Sequence, residues 1–122
     1  VMAKKVLIIE DDSDVVESIK LRLEADHYEV VSAANGEEGL KVFEAQKPDL
    51  ILLDVTMPVM DGHTFVKIFK SKYSLRDVPI IVLTGKDGME DVFRLEGVKN
   101  FLTKPCNADE LLQKIEDSLP QE

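Results

Sequence analysis

Apolar residues fall into two patterns along the chain: short unbroken runs, and longer stretches in which they recur with a helical period. Val6-Leu7-Ile8-Ile9, Leu50-Ile51-Leu52-Leu53 and Ile80-Ile81-Val82-Leu83 are the unbroken runs. Runs of this length suit strands buried on both faces of a parallel sheet. They predict strands over Lys5–Ile9, Asp49–Asp54 and Ile80–Leu83, with two shorter candidates at Glu29–Ala33 and Asn100–Thr103.

The periodic stretches lie between them. Ser13 is the expected N-cap of a helix through about Ala25, with Val15, Val16, Ile19, Leu21 and Leu23 forming the buried stripe. Asn35-Gly36 opens a second helix through Ala45, with Leu40, Val42 and Phe43 inward, and Pro48 ends that connection. Met57-Pro58-Val59-Met60-Asp61-Gly62 reads as a loop. A third helix follows through about Lys72, carrying Phe65, Val66, Ile68 and Phe69. A short helix around Met89–Glu96 should stop at Gly97. The last begins at Ala108 or Asp109 and runs through about Leu119, with Leu111, Leu112, Ile115 and Leu119 inward. Strand alternating with helix five times predicts an α/β fold: a doubly wound, five-stranded parallel sheet with five helices on its two faces. Length and the lack of linkers or repeats predict one domain over residues 1–122, with its core at about 4–119.

Composition narrows the functional classes. Hydrophobic residues make up 44% and charged residues 32%, an ordinary globular balance. Lys and Arg number 15 against 24 Asp and Glu, a net charge of -9, which argues against the basic stripe that direct nucleic acid binding needs. No apolar stretch is long enough to span a bilayer, and no signal-peptide pattern opens the chain. The single Cys106 excludes an internal disulfide and fits a reducing cytoplasm. Val1 before Met2 reads as a cloning remnant or processed end.

Chemistry concentrates where the strands stop. The first ends on Glu10-Asp11-Asp12, the third on Asp54, the fourth on Thr84 and the fifth on Lys104. Side chains just past the carboxyl ends of parallel strands line the ligand crevice of open α/β folds. Four carboxylates gathered there repel: two unit charges about 4 Å apart cost roughly 1 kcal/mol in water and about 4 at an effective dielectric of 20. Such a cluster binds a hard cation or keeps one acid protonated. Acids able to hold Mg²⁺, a hydroxyl and an ammonium together are what phosphoryl transfer onto a carboxylate requires.

Ile-Ile-Glu-Asp-Asp, Leu-Leu-Asp-Val-Thr-Met-Pro-Val-Met-Asp-Gly, Val-Leu-Thr-Gly and Phe-Leu-Thr-Lys-Pro together resemble the receiver domain of two-component response regulators, which has a flavodoxin-like topology. From Asp11 to Asp54, Thr84 and Lys104 the steps are 43, 30 and 20 positions. The resemblance spans residues 4–119. It implies that Asp54 is the phosphoacceptor, that Asp11 ligates Mg²⁺ directly and that Glu10 acts through a metal-bound water. The backbone carbonyl of Thr56 would complete the coordination, and Mn²⁺ could substitute. Thr84 and Lys104 would stabilise the phosphoryl group, with Thr84 and Phe101 as the switch pair. Lys104-Pro105 would be a cis peptide, and Thr56 and Lys86 would tune dephosphorylation. Implied partners are a sensor histidine kinase or phosphotransfer protein and a downstream protein or output domain. The domain would catalyse its own phosphorylation and dephosphorylation without being a multiple-turnover enzyme.

The chain departs from the commonest receiver pattern. Phe101 stands where tyrosine is more frequent, Lys86 is a cation two positions past Thr84, and the stretch from Thr84 to Lys104 is about two residues short. The last implies a truncated or irregular fourth helix.

Plainer readings exist for individual residues. Asp12 and Ser13 suit a solvated helix start, and Asp14 complements the helix dipole. Met57 and Met60 suit loop packing, Cys106 a small buried hydrophobe, and Lys70, Lys72 and Arg76 a solvated helix end. His27 and His63 lack partners at metal-ligand spacing and read as surface residues or as supports behind a site.

Three rival functions are distinguishable. An aspartyl-phosphate hydrolase of the haloacid-dehalogenase type needs an acid two residues past its nucleophile, and Thr56 stands there. A flavodoxin-like nucleotide binder needs a small, hydroxyl-rich phosphate loop where this chain has three acids. A degenerate receiver used only for docking would have no need of the acids, Thr84 and Lys104. Leu119-Pro120-Gln121-Glu122 fits either a natural end or the start of a linker.

Overall fold

The computed structural model describes residues 3–54, 61–85, 90–104 and 107–120. Five strands, β1 (Lys5–Ile9), β2 (Glu29–Ala33), β3 (Leu50–Asp54), β4 (Ile80–Thr84) and β5 (Asn100–Thr103), form one sheet in the order β2-β1-β3-β4-β5. Every pairing is parallel. The helices are α1 (Ser13–Ala25), α2 (Gly36–Gln46), α3 (Gly62–Lys72), α4 (Glu90–Leu95) and α5 (Ala108–Ser118). The expected fold class is the observed one.

The two-residue period of the strands divides the core. Leu7, Ile9, Ile51, Leu53, Ile80 and Val82 face Phe43, Phe65, Phe69 and Phe93 beneath α2, α3 and α4. Val6, Ile8, Leu50, Leu52, Ile81 and Leu83 face Leu23, Leu111 and Ile115 beneath α1 and α5. Burial on both faces explains why β1, β3 and β4 read as unbroken apolar runs. α2 lies so close to β1 that a Cβ on Gly39 would stand 2.6 Å from Ile9 Cδ1 and 3.3 Å from the Phe65 ring.

Two local expectations need correction. Leu21 is 61% exposed. It lies two residues, or about 200° of helical turn, from Ile19, so it falls off the stripe made by Val16, Ile19 and Leu23. The N-cap of α1 is Asp12, whose carboxylate accepts from the backbone N–H groups of Asp14 at 2.9 Å and Val15 at 3.4 Å; Ser13 is the first helical residue. Asp61 and Asn107 cap α3 and α5 in the same manner.

The strand order places the switch point between β1 and β3, where successive crossovers leave the sheet in opposite directions. In open α/β folds the ligand crevice lies at such a point, at the carboxyl ends of the strands.

Candidate functional site

β1 and β3 each deliver a carboxylate to that crevice. The backbone N–H of Glu10 donates to Ala33 O at 3.0 Å, extending the β1–β2 ladder one residue past β1. Asp54 is the last residue of β3 and pairs in register with Leu83 of β4. Glu10 and Asp54 are both buried, and Asp11 beside them is exposed. Each of these three acids has a carboxylate oxygen within 4.8 Å of the others. Asp12 caps α1, in keeping with its plainer reading as a helix start.

Lys104 enters from β5. Its backbone N–H donates to Thr84 O at 2.7 Å, which continues the β4–β5 ladder and fixes where the side chain starts. Its Nζ donates to Asp54 Oδ1 at 2.9 Å and to Glu10 Oε1 at 3.4 Å. Burial alone would push the Lys104 ammonium down, but the hydrogen bonds and charges of Asp54 and Glu10 outweigh it and hold the amine above its usual value. Glu10 moves the other way from an ordinary acid. Loss of solvent, then the neighbouring Asp54 and Asp11, push its carboxyl up to about 7. Among the described residues, Lys104 is paired with the two buried acids, Glu10 and Asp54, and Asp11 adds a third carboxylate beside them.

That grouping is the test of whether a divalent cation fits. The donors are all carboxylate oxygens, as a hard cation prefers, and charge relief at Glu10 is available to any ion that binds. The acidic cluster is compatible with a divalent ion held by Glu10, Asp11 and Asp54.

Thr84 ends β4 and is buried. Its Oγ1 donates to Leu102 O at 3.5 Å, the outer limit of a hydrogen bond, so it is weakly held against β5. Phe101 is half-buried against the α3/α4 side of the core and pairs in register with Val82, two residues before Thr84. Thr84 and Phe101 are therefore diagonal neighbours on one face of the sheet. Thr56, Lys86 and Pro105, and with Pro105 the peptide bond to Lys104, lie outside the described residues, as do Met57, Met60 and Cys106.

Other partnerships were not anticipated from sequence. Lys70 Nζ lies 2.8 Å from Glu96 Oε1, and His63 Nε2 lies 3.1 Å from Glu96 Oε2. Lys70 is thus an exposed residue that also ties α3 to the residue following α4. Lys72 lies 3.6 Å from Glu44. The guanidinium of Arg94 lies 4.8 Å from the centroid of the Phe101 ring. Only the i,i+4 spacing of Glu90 and Arg94 was available in the sequence as a signal.

The response regulator receiver domain model matches residues 6–116. The chain belongs to the receiver domain family. This receiver is 38% identical over 116 residues to the alkaline phosphatase synthesis transcriptional regulatory protein PhoP of Bacillus subtilis, covering 93% of this chain and 48% of that protein. It is 38% identical over 118 residues to the transcriptional regulatory protein GlrR of Escherichia coli, covering 94% of this chain and 26% of that protein. The receiver thus spans half or less of these curated relatives. Among solved structures, chemotaxis protein CheY4 of Vibrio cholerae superposes with a TM-score of 0.88 at 31% identity, covering 96% of this chain and 99% of that one. The signal receiver domain of a histidine kinase from Syntrophus aciditrophicus gives 0.85 at 35% identity, covering 96% and 90%. Receiver domains are signalling domains, and the family assignment sets aside the phosphatase and nucleotide-binder readings. Among the described residues no helix is long and apolar enough to cross a membrane.

Proposed function

We propose that this receiver takes a phosphoryl group from a phosphohistidine onto Asp54 and that the change is transmitted through Thr84 and Phe101. The observation that carries the reading is the convergence of Asp54, Glu10, Asp11 and Lys104 at one crevice. Asp54 supplies the attacking carboxylate oxygen, forming the O–P bond as the P–N bond to the donor imidazole breaks. Lys104, already against Asp54, is positioned to follow the negative charge onto a phosphoryl oxygen, and Thr84 Oγ1 offers a donor to another. Mg²⁺, or Mn²⁺ in its place, would be held by Glu10, Asp11, Asp54 and the carbonyl of Thr56. When bound it would neutralise phosphoryl oxygens.

Recruitment of Thr84 removes its hydroxyl from Leu102 O and changes the packing beside Phe101. Two conformers exchange, and the phosphoryl group shifts their populations. Thr56 and Lys86 tune the lifetime of the acyl phosphate. Residues 1–122 act as one receiver unit in the cytoplasm, self-phosphorylating and self-dephosphorylating but not turning over a substrate. The donor is a sensor histidine kinase or phosphotransfer protein, and the recipient a downstream protein or output domain. The net charge of -9 argues against nucleic acid as a direct partner of this domain.

Beryllofluoride, a phosphoryl mimic, tests the reading by NMR in the presence of Mg²⁺. Amide shifts at Thr84, Phe101 and Lys104 are expected in the wild type and absent in Asp54→Asn. An equal response in Asp54→Asn overturns it.

A further inference from the structure

In this chain Phe101 has no hydroxyl with which to report its position, and its ring face is instead occupied. Arg94 of α4 places its guanidinium carbon 4.8 Å from the ring centroid, well within cation–π range. The guanidinium is also held by Glu90, whose Oε1 accepts from Arg94 Nη2 at 3.0 Å. The base from which Arg94 reaches is itself fixed. Glu96, two residues further on, is tied to α3 by Lys70 at 2.8 Å and lies 3.1 Å from His63. Lys70 Nζ also donates to Glu96 O at 3.1 Å, so backbone and side chain are both held. Phe93 is buried in the core and packs edge-on to His63. Arg94 is thus anchored to α3, whereas Phe101 belongs to β5. A shift of the ring relative to β4 does not carry the guanidinium with it.

We infer that Arg94 is a positioning residue that holds Phe101 in the resting conformer through its ring face, and so sets how much phosphoryl binding is needed to switch the domain. The inference deepens the proposed function and rests on it. In the resting geometry Thr84 Oγ1 bonds Leu102 O, and Phe101 lies diagonally beside it under Arg94. When Thr84 turns toward a phosphoryl oxygen, the ring can move into the space it leaves, and the stack with Arg94 is broken. The arginine therefore opposes the transition. The side chain of Arg94 is 55% exposed, which places the stack at the weak end of such interactions. A weak stack biases two conformers by about two- to fivefold, and linkage returns the same factor in the affinity for the phosphoryl mimic.

Beryllofluoride titration at saturating Mg²⁺ tests this on the whole chain uniformly labelled with 4-fluorophenylalanine, the Phe101 resonance being assigned by its loss in Phe101→Leu. Arg94→Met keeps the stem and removes the cation. It should lower the half-saturating beryllofluoride concentration about two- to fivefold and move the resting Phe101 resonance before any beryllofluoride is added. Arg94→Lys should recover part of both effects. In a Phe101→Leu background Arg94→Met should change nothing. Unchanged or weaker binding in Arg94→Met, or an equal change with Leu at 101, overturns the inference while wild-type binding leaves the phosphoacceptor reading standing. Absence of binding by the wild type overturns both.

Discussion

Lys104 Nζ lies 2.9 Å from Asp54 Oδ1, although 50 residues separate them in sequence and neither strand end neighbours the other in the sheet. β4 stands between β3 and β5, so the lysine reaches across the end of β4 to make the bond. Only a long side chain starting one residue beyond the β5 ladder spans that gap. The ammonium offsets part of the repulsion between Asp54 and Glu10 in the resting molecule and is in place for the charge a phosphoryl group brings.

Lys104→Met removes the ammonium and keeps the length of the stem. Losing a donor aimed at developing oxyanion charge typically costs about 10²–10³ in rate. Because the metal shares this role, the initial rate of phosphorylation by acetyl phosphate is expected to fall toward the lower end, by about 10²-fold. Circular dichroism should show an intact fold. An undiminished rate would remove Lys104 from the mechanism.

Glu10 makes a pH prediction with a definite sign. Its carboxyl is pushed up to about 7, so the folded chain holds that proton more tightly than the unfolded one. The resulting stability is fully present below the ordinary glutamate value of 4.5 and is lost as the pH rises through about 7. Without metal, urea denaturation should show stability declining between those pH values, by at most about 3 kcal/mol. Glu10→Gln should flatten the decline, and so should Mg²⁺, which favours the ionised acid. A wild-type profile parallel to that of Glu10→Gln would show that the acid is not strained.

Asp61 caps α3 by accepting from the Thr64 backbone N–H at 2.8 Å, and this bond is the main reason its carboxyl sits below the usual range. Asp61→Ala should cost about 1 kcal/mol, lowering Tm by roughly 3–5 °C. The wild-type contribution should disappear as the pH falls below the usual aspartate range, since a depressed acid stabilises only while ionised. An unaltered Tm would mean that Thr64 N–H finds another acceptor.

Much of the architecture was visible in the chain because burial on both faces of a parallel sheet leaves no ambiguity of period at β1, β3 and β4. The crevice chemistry was visible for a related reason: strand ends are easy to locate when apolar runs stop abruptly at Glu10, Asp54 and Thr84. Helix faces were harder. Leu21 is apolar yet exposed, and only its angle from Ile19 reveals it. Asp12 could be read as a fourth member of the acidic cluster or as a helix start because a cap and a ligand are the same residue type; the backbone angle decides for the cap. The ties of Glu96 to Lys70 and His63, and of Arg94 to Phe101, join elements whose proximity depends on how α4 is laid down, and no local spacing encodes that.

Acceptance of a phosphoryl group by Asp54, with help from the neighbouring acids and Lys104, is the proposal on which the rest depends. Its most direct measurement is incubation with acetyl phosphate and Mg²⁺, followed by borohydride reduction and peptide mapping by mass spectrometry. Reduction of an acyl phosphate is expected at Asp54 alone, lost on chelation of the metal and in Asp54→Asn. Modification at another residue, or labelling of Asp54 that persists after chelation, would contradict it.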